Sequence, residues 1–202
     1  FRLGSDIMPP KAKFTREEII KAALEIVRAD GFAALTARTL GAKLGSSARP
    51  IFTVFPSMDE VSREVVAAAR ALYAECVDRG LGQTGLPAFK GVGVEYIRFA
   101  LAEPKLFQVL FMSEQPQKPA VGDVLPVIEE HYQQIAASIQ DDYGFNQKEA
   151  EWLYRHLWIY THGIAVLCAT NMCTFTQEEI STMMTEVFVA MLKELREGEK
   201  ND

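Results

Sequence analysis

Apolar residues recur along this chain at intervals of three and four, the spacing that lines one face of an α-helix. Ile20, Ala23, Leu24 and Val27 form the first such face, and Ile180, Met183, Met184, Val187, Phe188, Met191, Leu192 and Leu195 form the last. No alternating run of strand type interrupts them, so the pattern predicts an all-α protein. The polar positions mark where helices begin. Thr15 with Glu18, Ser57 with Glu60, Asn146 with Glu149 and Thr176 with Glu179 each set a hydroxyl or amide residue three positions before a glutamate. In such a capping box each side chain accepts a hydrogen bond from a first-turn N–H that the helix itself leaves unpaired.

Short helices come first. One runs from Thr15 to Asp30-Gly31, where glycine suits a helix end, and a second from Thr36 to about Leu44. Gly45-Ser46-Ser47 is a turn, and a third short helix is expected over roughly Ala48 to Val54, stopped by Pro56-Ser57. Longer helices are expected over Asp59–Leu81 and Leu86–Glu103, a shorter one from Lys105 to about Ser113, and three more over about 123–142, 147–171 and 177–197. This makes about nine helices in two domains, residues 8–57 and 58–198, with Phe1–Ile7 left aside.

At 202 residues, with 49% apolar and 24% charged residues, the composition is that of a folded globular protein. The stretch Leu157–Gln177 has no formal charge, but His162, Gly163, Thr170 and Asn171 make it a core helix rather than a membrane span. Cys76, Cys168 and Cys173 have neither the number nor the spacing of a disulfide or zinc framework, and no secretion signal is recognisable, so the expected location is cytoplasmic, without a membrane partner.

Charge is distributed unevenly. The net charge is −6, yet residues 1–58 carry nine Lys/Arg against five Asp/Glu and the remainder 12 against 22. A cationic head on an acidic body suits a protein of which only the head meets a polyanion.

Two short helices around a Gly-containing turn, behind a first helix, form the helix-turn-helix arrangement in which the last element enters the major groove. The run from Thr36 through Gly45, Arg49 and Phe55 to Val61 resembles the DNA-binding signature of the tetracycline repressor (TetR) family of bacterial regulators. The resemblance implies an N-terminal helix-turn-helix domain joined to a helical ligand-binding and dimerisation domain. It also implies a homodimer on double-stranded, palindromic operator DNA, most simply a repressor released by a small-molecule effector. The DNA-binding residues would be Lys11 and Lys13 in the arm, Thr36 and Arg38 on the second helix, and Ser46, Ser47, Ala48, Arg49, Pro50, Phe52 and Thr53 on the turn and third helix. Arg49 stands out, because a guanidinium fork suits guanine edges and phosphate oxygens alike. Phe55 would plug the third helix into the core.

The chain departs from the family pattern at Phe52 (usually Tyr), Met58 (usually Lys) and Gly41 (usually Ala), and Pro50 disfavours helical angles at Arg49. A second reading is therefore a helical dimer with weakened DNA binding, acting through protein contacts.

Trp158-Ile-Tyr-Thr-His162-Gly163 resembles the Trp-(x)3-His-Gly element of one TetR subgroup, the WHG type. Trp158 and His162 share a face, and Gly163 would let a neighbouring helix approach; His162 reads equally as a core histidine. Tyr96, Phe99, Phe107, Phe111, Tyr132, Trp158 and His162 are the candidate ligand-binding residues, an aromatic set suited to an apolar or aromatic ligand or, equally, to a filled core. Trp152, Met184, Phe188 and Met191, on the two last and most apolar helices, are the candidate dimer interface. No cofactor or metal site is expected and no catalytic residue is assigned. His156 and His162, six apart, face different ways, and no metalloprotease, nucleophile-elbow or phosphate-loop pattern occurs.

Overall fold

The computed structural model describes residues 12–114 and 118–198, and all regular structure in them is helical. Nine α-helices appear among the described residues: α1 (Arg16–Asp30), α2 (Ala37–Lys43), α3 (Met58–Leu81), α4 (Ala88–Ala102), α5 (Pro104–Phe111), α6 (Val124–Ile128), α7 (Tyr132–Tyr143), α8 (Gln147–Ala169) and α9 (Gln177–Gly198). Three of the four expected capping boxes close in both directions. At Thr15 the Glu18 N–H donates to Thr15 Oγ1 at 3.2 Å and the Thr15 N–H to Glu18 Oε2 at 2.8 Å, and the same exchange occurs at Asn146–Glu149 and Thr176–Glu179. At Ser57 only the hydroxyl half forms, because the Glu60 carboxylate accepts from Arg16 instead.

Two expected elements differ. The third short helix is a 3₁₀ turn, Ile51–Thr53, and its backbone bonds are mostly of the i→i+3 kind: Ile51 N–H to Ala48, Phe52 to Arg49 and Thr53 to Pro50. Pro50 supplies no N–H and crowds the residue before it, which removes the α-helical first turn. The helix expected over 123–142 is broken into α6 and α7, because Glu129 takes an extended conformation (φ −113°, ψ 106°). With one helix lost and one split, the total still matches.

The chain forms two compact units, divided within α3 between Ala68 and Ala69. In the first, Ile19, Ala23, Val27, Leu40, Ile51, Phe55, Val61 and Val65 make a buried core, to which α3 contributes its first two turns. Arg16 on α1 binds Glu60 (2.8 Å) and Glu64 (2.7 Å) on α3 and lies over the Phe55 ring, 4.4 Å from its centroid. In the second unit α8 packs against α4, α5, α7 and α9, which explains why it is apolar nearly all round. Helices α3 and α4 cross closely at two glycines: a Cβ on Gly80 would lie 2.6 Å from Val92 Cα, and one on Gly91 would meet the Gly80 carbonyl.

Candidate ligand cavity and DNA-facing surface

In the first unit, Thr36 caps α2 by accepting from the Thr39 N–H at 3.1 Å, while Thr39 Oγ1 lies 3.0 Å from the Thr36 N–H. The following turn lies directly on α2. A Cβ at Gly41 would come within 2.9 Å of Ala48 N and Ser47 C, so the departure at Gly41 permits an approach that alanine would obstruct. Gly45 holds φ +63°, and Ser46 N–H returns to the Gly41 carbonyl at 2.9 Å. Ile51 and Phe55 are buried, anchoring the 3₁₀ turn as expected of Phe55. The opposite side of that segment presents Ser47, Arg49, Phe52 (46% exposed) and Thr53 to solvent, with Ala48 and Pro50 partly covered. The Arg49 side chain has no hydrogen bond or ion pair among the described residues, whereas Thr53 spends its hydroxyl on the Pro50 carbonyl at 2.6 Å. Lys13, also exposed, donates to Ser46 Oγ at 3.0 Å, and Arg38 is exposed on α2. The arm residue Lys11 lies outside the described residues.

In the second unit, helices α3, α4, α8 and α9 and the α6–α7 link surround a cavity of about 260 Å³. Its inner end is lined by buried Tyr73, Tyr96, Glu129, Tyr154, Leu157 and Thr161, and its outer end by exposed Leu86, Leu101, Gln177, Ser181 and Thr185. Such a volume sits just under the common range for small-molecule sites, about 300–1,000 Å³.

Of the expected ligand-binding residues, Tyr96 and Trp158 line this cavity. Phe99, Phe107 and Phe111 do not; they form an aromatic cluster with Tyr73 and Tyr96 at ring-centroid distances of 4.9–5.9 Å. His162 is also set back. Its ring stacks on Trp158 (4.9 Å between centroids) and its Nδ1 lies 2.9 Å from the Tyr96 hydroxyl, so it positions both cavity rings. Burial lowers the His162 pKa, keeping the ring neutral and able to accept the Tyr96 proton. Tyr132 stacks on Tyr154 from α7, one layer behind the wall.

The expected interface residues separate likewise. Met184 and Phe188 line the cavity, and Phe188, 6% exposed, packs against Phe89 and Tyr143 of its own subunit at 5.6 and 5.4 Å. Of the α9 stripe, Ile180 and Phe188 are buried within the chain, and Met183, Met184 and Val187 are half-buried. Trp152 is half-buried against His156 (4.2 Å), and Met191 is half-buried. Gly163 does not serve a close contact within the subunit, since a Cβ there would meet nothing within 4 Å.

Sequence reasoning missed Tyr73, Glu129, Tyr154 and Thr161. A signal existed for two: Tyr154, Leu157, Trp158 and Thr161 follow i, i+3, i+4, i+7 and share the Trp158 face of α8. None existed for Glu129, which reads as one more solvated acid in Glu129-Glu130-His131. The helix break turns it inward, and it is 5% exposed. Tyr73 donates to its Oε2 at 2.6 Å and the His131 N–H to its Oε1 at 3.1 Å. Burial, and then the Glu129 charge, push the pKa values of Tyr73, Tyr96 and Tyr154 well up, so all three are hydroxyls rather than phenolates.

A two-unit helical protein with an N-terminal helix-turn-helix and an internal aromatic cavity belongs to the architecture of one-component transcriptional regulators. Residues 89–195 match the family model of the tetracyclin repressor-like C-terminal domain, and the chain belongs to that family. A crystal structure of a TetR variant from Acinetobacter baumannii AYE in complex with minocycline shares the fold: TM-score 0.57 at 18% identity, covering 92% of this chain and 98% of that one. A search of curated proteins found no match. No described helix is long and apolar enough to cross a membrane, and the described residues hold no His/Cys/Asp/Glu group suited to a metal ion.

Proposed function

We propose that this protein is a ligand-responsive transcriptional repressor that binds a palindromic operator as a homodimer and leaves it when a small molecule with a large apolar or aromatic part fills the cavity. The observation that carries this reading is the cavity itself, an aromatic space inside the domain that defines the family. The head supports it with an exposed, unpaired Arg49 beside a turn held on α2 by Gly41 and Gly45. Occupancy changes DNA affinity if the ligand prefers one head spacing over another. Helix α3 suits that coupling, because it contributes Val61 and Val65 to the head's core and Tyr73 to the cavity wall.

Dimerisation is assigned to the outer faces of α8 and α9. Ile159 (47% exposed) and Gly163 stand one helical turn apart on α8, and Val189 (56% exposed) on α9 adds a second apolar position. Gly163, with open space over it, suits a partner helix better than a neighbour within the subunit.

Selection of bound duplexes from a random-sequence DNA pool tests the reading. Enrichment of a palindrome whose affinity falls steeply with salt is the expected result. No enrichment at low salt favours the reading in which the dimer acts through protein contacts, for which the short 3₁₀ turn and Phe52 in place of tyrosine are the supporting observations.

A further inference from the structure

The cavity has an acidic end that an apolar ligand does not explain. Two carboxylates are buried among the described residues, Glu95 and Glu129. Glu95 is neutralised by Arg79, at 3.1 Å, and by Arg98, which reach it from the surface. Among the described residues the Glu129 carboxylate has no Lys or Arg partner; it receives one tyrosine hydroxyl and one backbone N–H. Arg70, which lines a small neighbouring pocket with Glu129, is paired with Glu130 at 3.8 Å, and the His131 Nδ1, 3.5 Å from Glu129 Oε1, is buried and makes no hydrogen bond. His131 is not part of the cavity wall, whereas Glu129 and the rings of Tyr73, Tyr96 and Tyr154 are.

A carboxylate taken out of water without a cation is costly, and an ion supplied by a ligand recovers part of that cost. Tyrosine faces add attraction for the same charge sign, since their π-clouds are negative. Two basic side chains also line the cavity. Lys90 holds its Nζ 3.9 Å from the Phe188 ring centroid, and Arg98 is paired with Glu95. Like charges repel, so a cationic group bound in the cavity is favoured at Glu129 over a position beside Lys90, with its apolar body between α4 and α9.

The geometry points to a ligand that is an aromatic or apolar monocation, an amine or amidine whose charged N–H groups bond Glu129. This rests on the reading of the cavity as the effector site and narrows the effector to a chemical class.

Calorimetric titration of the full chain at neutral pH with naphthylmethylammonium, naphthalenemethanol and naphthoate tests it. These probes share one aromatic body and differ in charge. The expected order places the ammonium about tenfold or more tighter than the alcohol, with the anion weakest, as a charge-assisted hydrogen bond to a buried acid implies. In Glu129→Gln the ratio of ammonium to alcohol affinity falls to about one, whatever the change in the affinity of the alcohol itself. Equal binding of ammonium and alcohol, or an ammonium preference that survives Glu129→Gln, overturns the inference and leaves the effector site standing. Tightest binding of naphthoate overturns it in favour of Lys90 as the recognising group. Absence of binding by all three overturns both the inference and the effector-site reading. The ranking on the unmodified protein decides the matter even where Glu129→Gln does not fold.

Discussion

Tyr73, in the middle of α3, donates its hydroxyl proton to Glu129 Oε2 at 2.6 Å and thereby ties the helix shared by both units to the break between α6 and α7. A phenol on a carboxylate makes a charge-assisted bond, and the burial of both partners shields it from water. Tyr73→Phe removes the donor and leaves the acid short of a partner. The expected cost is about 1.5–3 kcal/mol, read as a lowered urea midpoint with an unchanged slope. A loss below about 0.5 kcal/mol would mean that cavity water replaces the hydroxyl.

His162 carries a pH signature. Burial lowers its pKa in the fold, so the unfolded chain takes up a proton on acidification before the folded one does. Stability from this residue is present above the unfolded value of about 6.5 and is lost as pH falls through that value toward the lowered folded one. Thermal melts of the native protein and His162→Gln between neutral pH and about pH 5.5 should converge as pH falls. A gap that stays constant would remove His162 as the cause.

The Arg49 side chain has no partner among the described residues. Arg49→Ala should leave the melting temperature within a degree or so while weakening operator binding by about 1–3 kcal/mol, measured by titration on the selected duplex. Unchanged affinity would place the contact elsewhere on the exposed segment.

Phe188 and Ile159 test core against the proposed interface. Phe188→Glu buries a charge among Phe89, Tyr143 and the cavity wall, so it should unfold or strongly destabilise the chain. Ile159→Glu combined with Val189→Glu should yield folded monomers in light scattering with near-native circular dichroism. A dimer that persists in the double variant would place the interface on another face.

Gly41 sets two effects against each other. Alanine gains about 1 kcal/mol in helix propensity, but its Cβ would press on the backbone of Ser47 and Ala48 at 2.9 Å. Overpacking costs about 1–3 kcal/mol, so Gly41→Ala should lower the melting temperature and weaken DNA binding by shifting the turn. A more stable variant would show that the turn moves away freely.

Local chemistry was legible in the sequence wherever neighbours along the chain decide the outcome. The capping boxes at Thr15, Asn146 and Thr176, the glycine turn at Gly45 and the all-helical pattern depend on contacts within four residues, which sequence spacing records directly. The proline effect on Arg49 was visible too, and in the fold it leaves a 3₁₀ turn in place of the third helix. The aromatic residues were recognised, but their division into wall (Tyr96, Trp158) and backing (Phe99, Phe107, Phe111, Tyr132, His162) was not, because both sets are apolar with helical spacing. Only the tertiary structure decided that Phe188 and Met184 face inward, and that Glu129 leaves the solvated face for the cavity. A carboxylate's environment depends on helices far apart in sequence, here α3 bringing Tyr73 to it and the α6–α7 break turning it inward, and no local pattern encodes that meeting.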